Sequence, residues 1–254
     1  MRVLVCVKRV PAPGARIVLT EDGQRIDTKH LGFTVSPHEE CAVEEAVRLV
    51  EQHGGSSTVL TAGPVVAEEQ LRTAIAMGIG HGALVDTGED EWDPEATAAA
   101  LAAAVRTLES DDQPFDLILF GNESADAGNY QVPIRVAHAL ARPVVSGIKA
   151  IEVGEGTVRL RRSVADGLEV YELPTPAVVA VKEGINLPRY PAMRGRLVAK
   201  KAQLERITPE HLPGGLTRLR LRHPVQEETE TAVLGHGADA ATRVVDLFEE
   251  VGLL

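Results

Sequence analysis

The chain has few aromatic residues and few cysteines. Phe, Trp and Tyr make up 3% of its 254 residues, so the hydrophobic core must be built from Val, Leu, Ile and Ala. Cys6 and Cys41 show neither the CxxC spacing nor the nearby histidine cluster of a zinc site. Two isolated thiols, which we expect to be buried, are typical of a reducing compartment and predict a cytoplasmic location.

Basic residues are also scarce. The chain has 26 Lys and Arg against 37 Asp and Glu, which gives a formal net charge of −11. Proteins that bind nucleic acid use a surplus of positive charge to neutralise phosphates, so this balance argues against nucleic acid as a partner. An acidic surface instead favours encounter with basic patches on other proteins.

The chain lacks a long hydrophobic run. No apolar segment approaches the roughly 20 residues that a membrane-spanning helix needs, so we expect no direct membrane insertion. The segment Met1–Val7 is basic and then apolar, but Lys8 and Arg9 end it before it reaches the length of a signal-peptide core. We therefore interpret it as the first β-strand.

Familiar catalytic motifs are missing as well. The sequence contains no GxSxG elbow, no Walker A loop, no HExxH motif and no GxGxxG after the first strand. We therefore assign no catalytic residues and no metal ligands.

Short apolar runs alternate with helical patterns, which predicts an α/β fold with a doubly wound, mostly parallel sheet. The apolar runs predict strands at residues 2–7, 58–62, 83–86 and 115–120. Helical periodicity predicts helices at residues 68–77, 94–108 and about 131–141. Another helix begins after Ser36, with Pro37 at its first position and Glu39 completing a capping box, and it ends at Gly54.

The pattern changes after residue 143. Alternating residues at 158–163 and 168–173 predict an antiparallel hairpin, and 177–181 predicts another buried strand. Residues 205–238 show little periodicity, whereas 240–251 predict a short amphipathic helix. We expect a nucleotide-binding α/β domain at 1–204 and, at 205–254, an extended C-terminal arm with a helix that docks on a partner.

Ligands of open parallel sheets bind at the carboxyl ends of the strands, where the strand order reverses. Four segments should converge there: the loop from Lys8 to Gly14, the turn Ser36–Glu39, residues 62–64 and the loop Gly121–Val132. The small and polar residues of the last loop precede a helix and are suited to a phosphate. From composition alone, an ordinary loop with capping residues is the more economical explanation, with Asp126 as a helix cap and His38 as a packing or hydrogen-bonding residue.

A run of basic residues, from Arg189 to Lys201, stands out in this acidic chain. Met193 lies within it, next to Arg194 and close to Arg196. A flexible apolar side chain beside positive charges suits a contact surface for other proteins. The solvated start of a helix explains the same pattern.

Several segments together resemble the β subunit of electron-transfer flavoproteins. The family's opening strand and first long helix are similar to RVLVCVKRV at 2–10 and SPHEECAVEEAVRL at 36–49. Its pattern GP…LRxALAMG is similar to AGP at 62–64 followed by LRTAIAMG at 71–78. Its second half is similar to DGLE at 166–169, LPTPAVV at 173–179 and PRY at 188–190. The resemblance covers nearly the whole chain and weakens after about residue 205.

This resemblance implies a heterodimer in which an α subunit holds most of an FAD, while the β subunit supplies a wall near the flavin ring. It implies an adenine-nucleotide α-hydrolase-like domain that binds AMP or, in flavin-bifurcating members, a second FAD. The implied cofactor-binding residues are Cys6, Ser36, Pro37, His38, Glu39, Ala62, Gly121, Asn122, Glu123, Ser124, Ala125, Asp126, Ala127, Gly128, Asn129, Tyr130, Gln131 and Val132.

The resemblance also implies partner contacts. Met193 falls where the family carries the apolar anchor of a loop that docks on dehydrogenases, flanked here by Arg194 and Arg196. The C-terminal arm would dock on the α subunit. Three departures from the family pattern are Ser36 in place of an Asn, Tyr130 in the phosphate loop, and Ser163 where some members carry an acidic residue.

The implied function is that of an electron carrier rather than an enzyme. Flavin dehydrogenases would reduce the FAD, and the complex would pass the electrons to a quinone oxidoreductase or another acceptor. One alternative is an electron-bifurcating subunit with its own FAD. Another is a stand-alone adenine-nucleotide-binding protein, which the arm and terminal helix disfavour.

Overall fold

The computed structural model describes residues 1–109, 113–210, 212, 214–225 and 231–254. It divides into two compact units, Met1–Arg220 and Leu221–Leu254. Within the described ranges, no helix combines the length and the apolar character needed to cross a bilayer.

The strands of the first unit are β1 (Arg2–Val7), β2 (Val10–Pro11), β3 (Phe33–Thr34), β4 (Ser56–Gly63), β5 (His81–Asp86), β6 (Leu117–Gly121), β7 (Val144–Ile148), β8 (Ala150–Val153), β9 (Thr157–Val164), β10 (Gly167–Pro174), β11 (Ala177–Val181) and β12 (Glu205–Ile207). Its helices are α1 (Pro37–His53), α2 (Glu68–Met77), α3 (Pro94–Glu109), α4 (Val132–Ala139) and α5 (Met193–Lys201). Helix α6 (Ala241–Glu250) belongs to the second unit.

A parallel sheet lies at the centre of the first unit. In the described part of the chain it has seven strands, in the order β12-β5-β4-β1-β6-β11-β7. The chain proceeds outward from β1 through β4 to β5 and then returns to place β6 on the other side of β1. The strand order therefore reverses between β1 and β6, and the predicted doubly wound α/β fold is confirmed.

The central strand β1 is apolar throughout because the core covers both of its faces. Val3, Val5 and Val7 join one buried cluster, together with residues of α1 and α2. Leu4 and Cys6 face the opposite cluster, which contains residues of α3 and α4. Alternate side chains of one strand therefore stabilise both layers.

The start of α1 follows from local chemistry. The Glu39 N–H donates to Ser36 Oγ at 3.3 Å, and the Ser36 N–H donates to the Glu39 carboxylate at 3.0 Å. Pro37 occupies the first turn, where a missing N–H costs nothing. At the other end, Gly54 adopts a left-handed φ of 71° and its N–H donates to the Val50 carbonyl. The predicted capping box and stop are confirmed.

The predicted hairpin is also confirmed, as β9 and β10. Strand β8 pairs with β9 as well, which makes a small antiparallel sheet of three strands in the described part. Val158 and Leu160 of β9 are buried in the cluster that includes α1. The small sheet is therefore packed onto the main domain.

The compact unit extends further than expected. Glu205–Ile207 was expected to begin an extended arm, but it pairs in parallel with β5 as an edge strand. Beyond it, the Leu216 N–H donates to Asp93 at 3.0 Å, and Arg218 forms an ion pair with Glu91 at 2.7 Å. The boundary expected between residues 204 and 205 therefore differs from the division after Arg220, because these contacts belong to the first unit.

The second unit contains a short 3₁₀ turn, Gly237–Ala240, that leads into α6. The helix expected at 240–251 is present. Residues 211, 213 and 226–230 of the expected arm lie outside the described residues.

Candidate functional site

The predicted site lies where the carboxyl ends of β1 and β6 meet the first turn of α1. One carboxylate oxygen of Glu39 accepts the Lys8 N–H at 2.9 Å, and the other accepts the Ser36 N–H at 3.0 Å. Burial raises the pKa of Glu39 to about 8, although hydrogen bonds from Ser36 and Lys8 act in the opposite direction. Glu39 thus joins the end of β1 to the turn that opens α1.

Gly121 ends β6 directly against this turn. A Cβ atom at position 121 would lie 2.7 Å from Glu39 Cγ and 3.1 Å from the Glu39 backbone nitrogen. Real Cβ atoms do not approach other atoms so closely, so only glycine fits here without a shift of neighbouring atoms. The close approach brings the loop after β6 onto the amino end of α1.

Three side-chain contacts connect this loop, Gly121–Val132, to β1 and α1. Lys8 Nζ lies 2.6 Å from Asp126 Oδ2. Ser36 Oγ donates to the Glu123 carbonyl at 3.3 Å, and His38 Nε2 lies 3.3 Å from Glu123 Oε1. The structure therefore brings together segments that are about 85 to 118 positions apart in sequence.

The charges of Lys8 and Asp126 stabilise one another. Burial raises the pKa of Asp126, but the neighbouring Lys8 ammonium and hydrogen bonds from Lys8, Ser124 and Ala127 outweigh it and hold the pKa below its usual range. Asp126 is therefore an ion-pair partner at this edge. Its expected role as a helix cap is wrong, because Gln131 occupies the N-cap position of α4.

Both ring nitrogens of His38 have a polar neighbour, a hydrogen-bond donor at Nδ1 and the Glu123 carboxylate near Nε2. Its Nδ1 accepts the Glu183 N–H at 2.7 Å, which leaves the ring proton on Nε2, facing Glu123. The ring therefore links α1 to the segment after β11 and to the loop after β6. This geometry is that of a hydrogen-bonding residue.

The loop has an unusual backbone before α4. Gly128 and Tyr130 adopt left-handed φ values of 54° and 57°, the second of which is uncommon for a bulky residue. A hydrogen bond to Glu123 raises the pKa of the Tyr130 phenol. In the described part of the chain, the Gln131 side chain does not cap α4 and instead accepts from Arg135 at 3.2 Å. Pro133 has no N–H, so the amides of the first turn that lack a side-chain cap are those of Val132 and Ile134.

The other predicted residues lie at the same edge of the sheet. Cys6 is the penultimate residue of β1, and burial raises the pKa of its thiol above its usual value. Ala62 lies near the end of β4, beside β1. The Asn122 N–H donates to the Val181 carbonyl at 2.8 Å and so connects the loop to β11. Ser124, Ala125, Ala127, Asn129 and Val132 belong to the loop or to the first residue of α4.

Met193 opens α5 with 77% of its surface exposed, and Arg194 and Arg196 are exposed with it. The sequence did not indicate that Leu187 and Tyr190 would be exposed too, at 91% and 95%. Arg189 does not contribute a free charge to the basic run, because it forms ion pairs with glutamates of α1. We call residues 187–198 the docking segment, after the role that the sequence analysis predicts for Met193.

The fold and the converging strand ends define a doubly wound α/β protein, a class that binds ligands where the strand order reverses. Comparison with known proteins then gives the family. Residues 25–212 match the model of the electron transfer flavoprotein domain. The chain belongs to the electron-transfer flavoprotein family, and the resemblance to its β subunits is confirmed.

Curated relatives bear this out. "Electron transfer flavoprotein subunit beta" of Bacillus subtilis (strain 168) is 32% identical over 254 residues, which cover 97% of each chain. The protein of the same name from Syntrophomonas wolfei subsp. wolfei is 39% identical over 204 residues, 79% of this chain and 77% of the relative. That of Mycobacterium leprae (strain TN) is 34% identical over 212 residues, 81% of this chain and 78% of the relative.

Proposed function

We propose that this chain is the β subunit of a heterodimeric electron-transfer flavoprotein. It takes electrons from flavin dehydrogenases through an FAD shared with an α subunit and passes them to a quinone oxidoreductase or another acceptor. The observation that carries this proposal is the match to β subunits along nearly the entire chain. The flavin supplies the redox chemistry, and the chain supplies binding and orientation.

The residues at the strand ends fit an adenine nucleotide. Lys8 offers a positive charge, and at the start of α4 the amides of Val132 and Ile134 can donate to phosphate oxygens, whereas Pro133 has no N–H. Glu123 and Asp126 offer acceptors for hydroxyl groups of a ribose. Cys6, the turn Ser36–Glu39, Ala62 and the loop Gly121–Val132 would hold AMP there.

The second unit suits contact with the α subunit. Helix α6 and the residues after it expose the apolar side chains of Val245, Leu247, Phe248, Val251, Leu253 and Leu254. Apolar surface on so small a unit gains free energy when another chain covers it. We propose that this unit docks on the α subunit.

Nucleotide content tests the proposal. The chain is co-expressed with its α partner, the complex is purified and denatured, and the released nucleotides are quantified by chromatography. One FAD and one AMP per heterodimer support an electron carrier with AMP in the β subunit. Two FAD without AMP would replace AMP by a second flavin and indicate bifurcation. Failure to form a flavin-containing complex would refute the proposal in favour of a stand-alone nucleotide binder.

The docking segment is proposed to contact dehydrogenases through Met193. Its exposed thioether can enter an apolar pocket, and Arg194 and Arg196 steer the approach of an acidic surface. Met193→Ala should raise the heterodimer concentration needed for half-maximal electron transfer by about tenfold, as loss of a buried apolar contact of roughly 1–2 kcal/mol requires. FAD and AMP content should not change.

Leu219→Ala is the matched control for Met193→Ala. Leu219 is also an exposed apolar residue, at 85%, but it lies outside the docking segment. Electron-transfer kinetics should stay the same in this variant. Equal kinetics for wild type and Met193→Ala would rule out the docking role.

A further inference from the structure

The docking segment exposes apolar side chains to solvent, whereas hydrogen bonds fix its backbone to the core. A loop that exposes Leu187, Tyr190 and Met193 in this way gains nothing from burial of these side chains. Other contacts must therefore keep it in one conformation. The structure shows such contacts at both ends of the segment.

The first contact is a double ion pair of Arg189 with two glutamates of α1. Its backbone N–H and Nε–H donate to Glu44 Oε2 at 3.1 and 2.9 Å, and one terminal nitrogen donates to Glu44 Oε1 at 3.0 Å. The two terminal nitrogens also donate to the carboxylate of Glu51, at 2.7 and 2.9 Å. Because Glu44 is bound by both main chain and side chain, the contact fixes the backbone of Arg189 as well as its guanidinium.

Asn186 extends this contact along the same helix. Its side-chain amide donates to the Cys41 carbonyl at 3.0 Å and to Glu45 Oε2 at 2.8 Å. The chain that enters the docking segment is thus bound to α1 at residues 186 and 189.

The second contact lies at the other end, on α2. A Cβ atom at Gly195 would lie within 2.2 Å of the Ala76 carbonyl oxygen, so α5 packs backbone to backbone against α2. Arg72 of α2 donates to the carbonyl oxygens of Ala199 and Ala202, at 2.7 and 3.1 Å. Residues near both ends of the segment are therefore fixed to different helices of the core.

We propose that Arg189 is a positioning residue for partner recognition: its pairing with Glu44 and Glu51 holds the docking segment in its binding conformation before a dehydrogenase arrives. A segment ordered in advance loses less conformational entropy on binding, and this increases affinity without any new contact. The inference rests on the proposed function, since it assumes that the segment docks on dehydrogenases.

Two variants of the heterodimer test this role. Arg189→Lys keeps the positive charge but loses the fork that binds both carboxylates. Glu51→Ala removes one of the two carboxylates that bind Arg189. The fold should tolerate this change, because the Glu51 side chain is 58% exposed. Gln52→Ala, at the next exposed position of α1, is the matched control.

The first readout is hydrogen–deuterium exchange of the amides in the docking segment. Arg189→Lys and Glu51→Ala should speed up exchange there by about tenfold or more, with little change elsewhere. The second readout is electron transfer from the flavin dehydrogenase that reduces the wild-type heterodimer fastest in a panel. Half-saturation should require about tenfold more Arg189→Lys heterodimer and about threefold more Glu51→Ala heterodimer, at an unchanged saturating rate.

Met193→Ala separates the two possible failures. If Met193→Ala has wild-type kinetics, the docking role itself is wrong. If Met193→Ala weakens half-saturation while Arg189→Lys and Glu51→Ala behave like Gln52→Ala in both readouts, docking stands and the positioning role is overturned. A lower saturating rate at unchanged half-saturation would also overturn it, because preorganisation acts on binding. If Arg189→Lys does not fold, Glu51→Ala decides alone.

Discussion

Gly121→Ala is the most incisive test of the candidate site, because Gly121 touches the turn that holds Glu39. The new methyl group would lie 2.7 Å from Glu39 Cγ, 3.1 Å from the Glu39 nitrogen and 3.2 Å from His38 Cβ. The Glu39 side chain cannot swing away freely, because Lys8 and Ser36 donate to its two oxygens. The φ of Gly121 lies outside the left-handed region, so the clash alone determines the effect.

The expected cost has two parts. Overpacking a tight site costs about 1–3 kcal/mol. Each hydrogen bond to Glu39 that is weakened adds about 1 kcal/mol. A total of about 2–4 kcal/mol corresponds to a fall in melting temperature of roughly 5–15 °C for a domain of this size. AMP content should fall as well, since the loop Gly121–Val132 begins at this residue.

Thermal melting and nucleotide quantification of the heterodimer measure both effects. Gly63→Ala is the matched control for melting only, and AMP content is compared with wild type, because Gly63 lies in the segment 62–64 expected at the same edge of the sheet. Gly63 ends the neighbouring strand β4, and a Cβ there would meet only Ala67 Cβ, at 3.5 Å. If Gly121→Ala melts within about 1 °C of Gly63→Ala and retains its AMP, the close approach does not shape the site, and the reasoning is refuted.

Two further predictions concern stability. Because burial raises the pKa of Glu39 from 4.5 to about 8, the folded protein retains a proton that the unfolded chain releases, and stability declines between these pH values. Relative to Glu39→Gln, the wild type should lose up to about 5 kcal/mol from pH 4.5 to 8, and parallel profiles of stability against pH would contradict this. Ala141→Gly should raise stability by about 0.5–1 kcal/mol by relieving a left-handed φ of 53°. Ala139→Gly, at the last residue of α4, should instead lower it, by at most about 1 kcal/mol, in the same melting assay.

The elements that the sequence predicts well are those specified by their own residues. The apolar run of β1 and the Ser36, Pro37 and Glu39 signals of α1 need no distant contact, and the structure confirms them. By contrast, β12 has three residues and exists because it pairs with β5. Helix α5 contains Gly195, which weakens a helical pattern, yet the approach to Ala76 requires a residue without a Cβ atom.

For the candidate site too, the sequence predicts some features, and others follow only from the fold. The rule that ligands bind at strand ends locates the loop Gly121–Val132 and the turn Ser36–Glu39, but it does not give the contacts between them. Asp126 illustrates the difference. A sequence pattern identifies an acidic residue near a helix start, whereas the ion pair with Lys8 depends on β1 and β6 being neighbours. Similarly, the sequence predicts that Arg189 is one charge of an exposed basic run, whereas in the fold α1 places Glu44 and Glu51 beside it.

Helix α1 connects the two proposed functions. Its first turn carries Glu39 and His38, which lie at the proposed nucleotide site, and Glu44 and Glu51 farther along it hold Arg189 of the docking segment. The chain between these points follows the helix, since the Glu183 N–H donates to His38. A ligand that binds only the folded state stabilises that state relative to the unfolded chain. If AMP binds at the first turn as proposed, it would stabilise the folded state in which α1 holds Arg189, and a nucleotide without redox chemistry would then support the positioning of the docking segment.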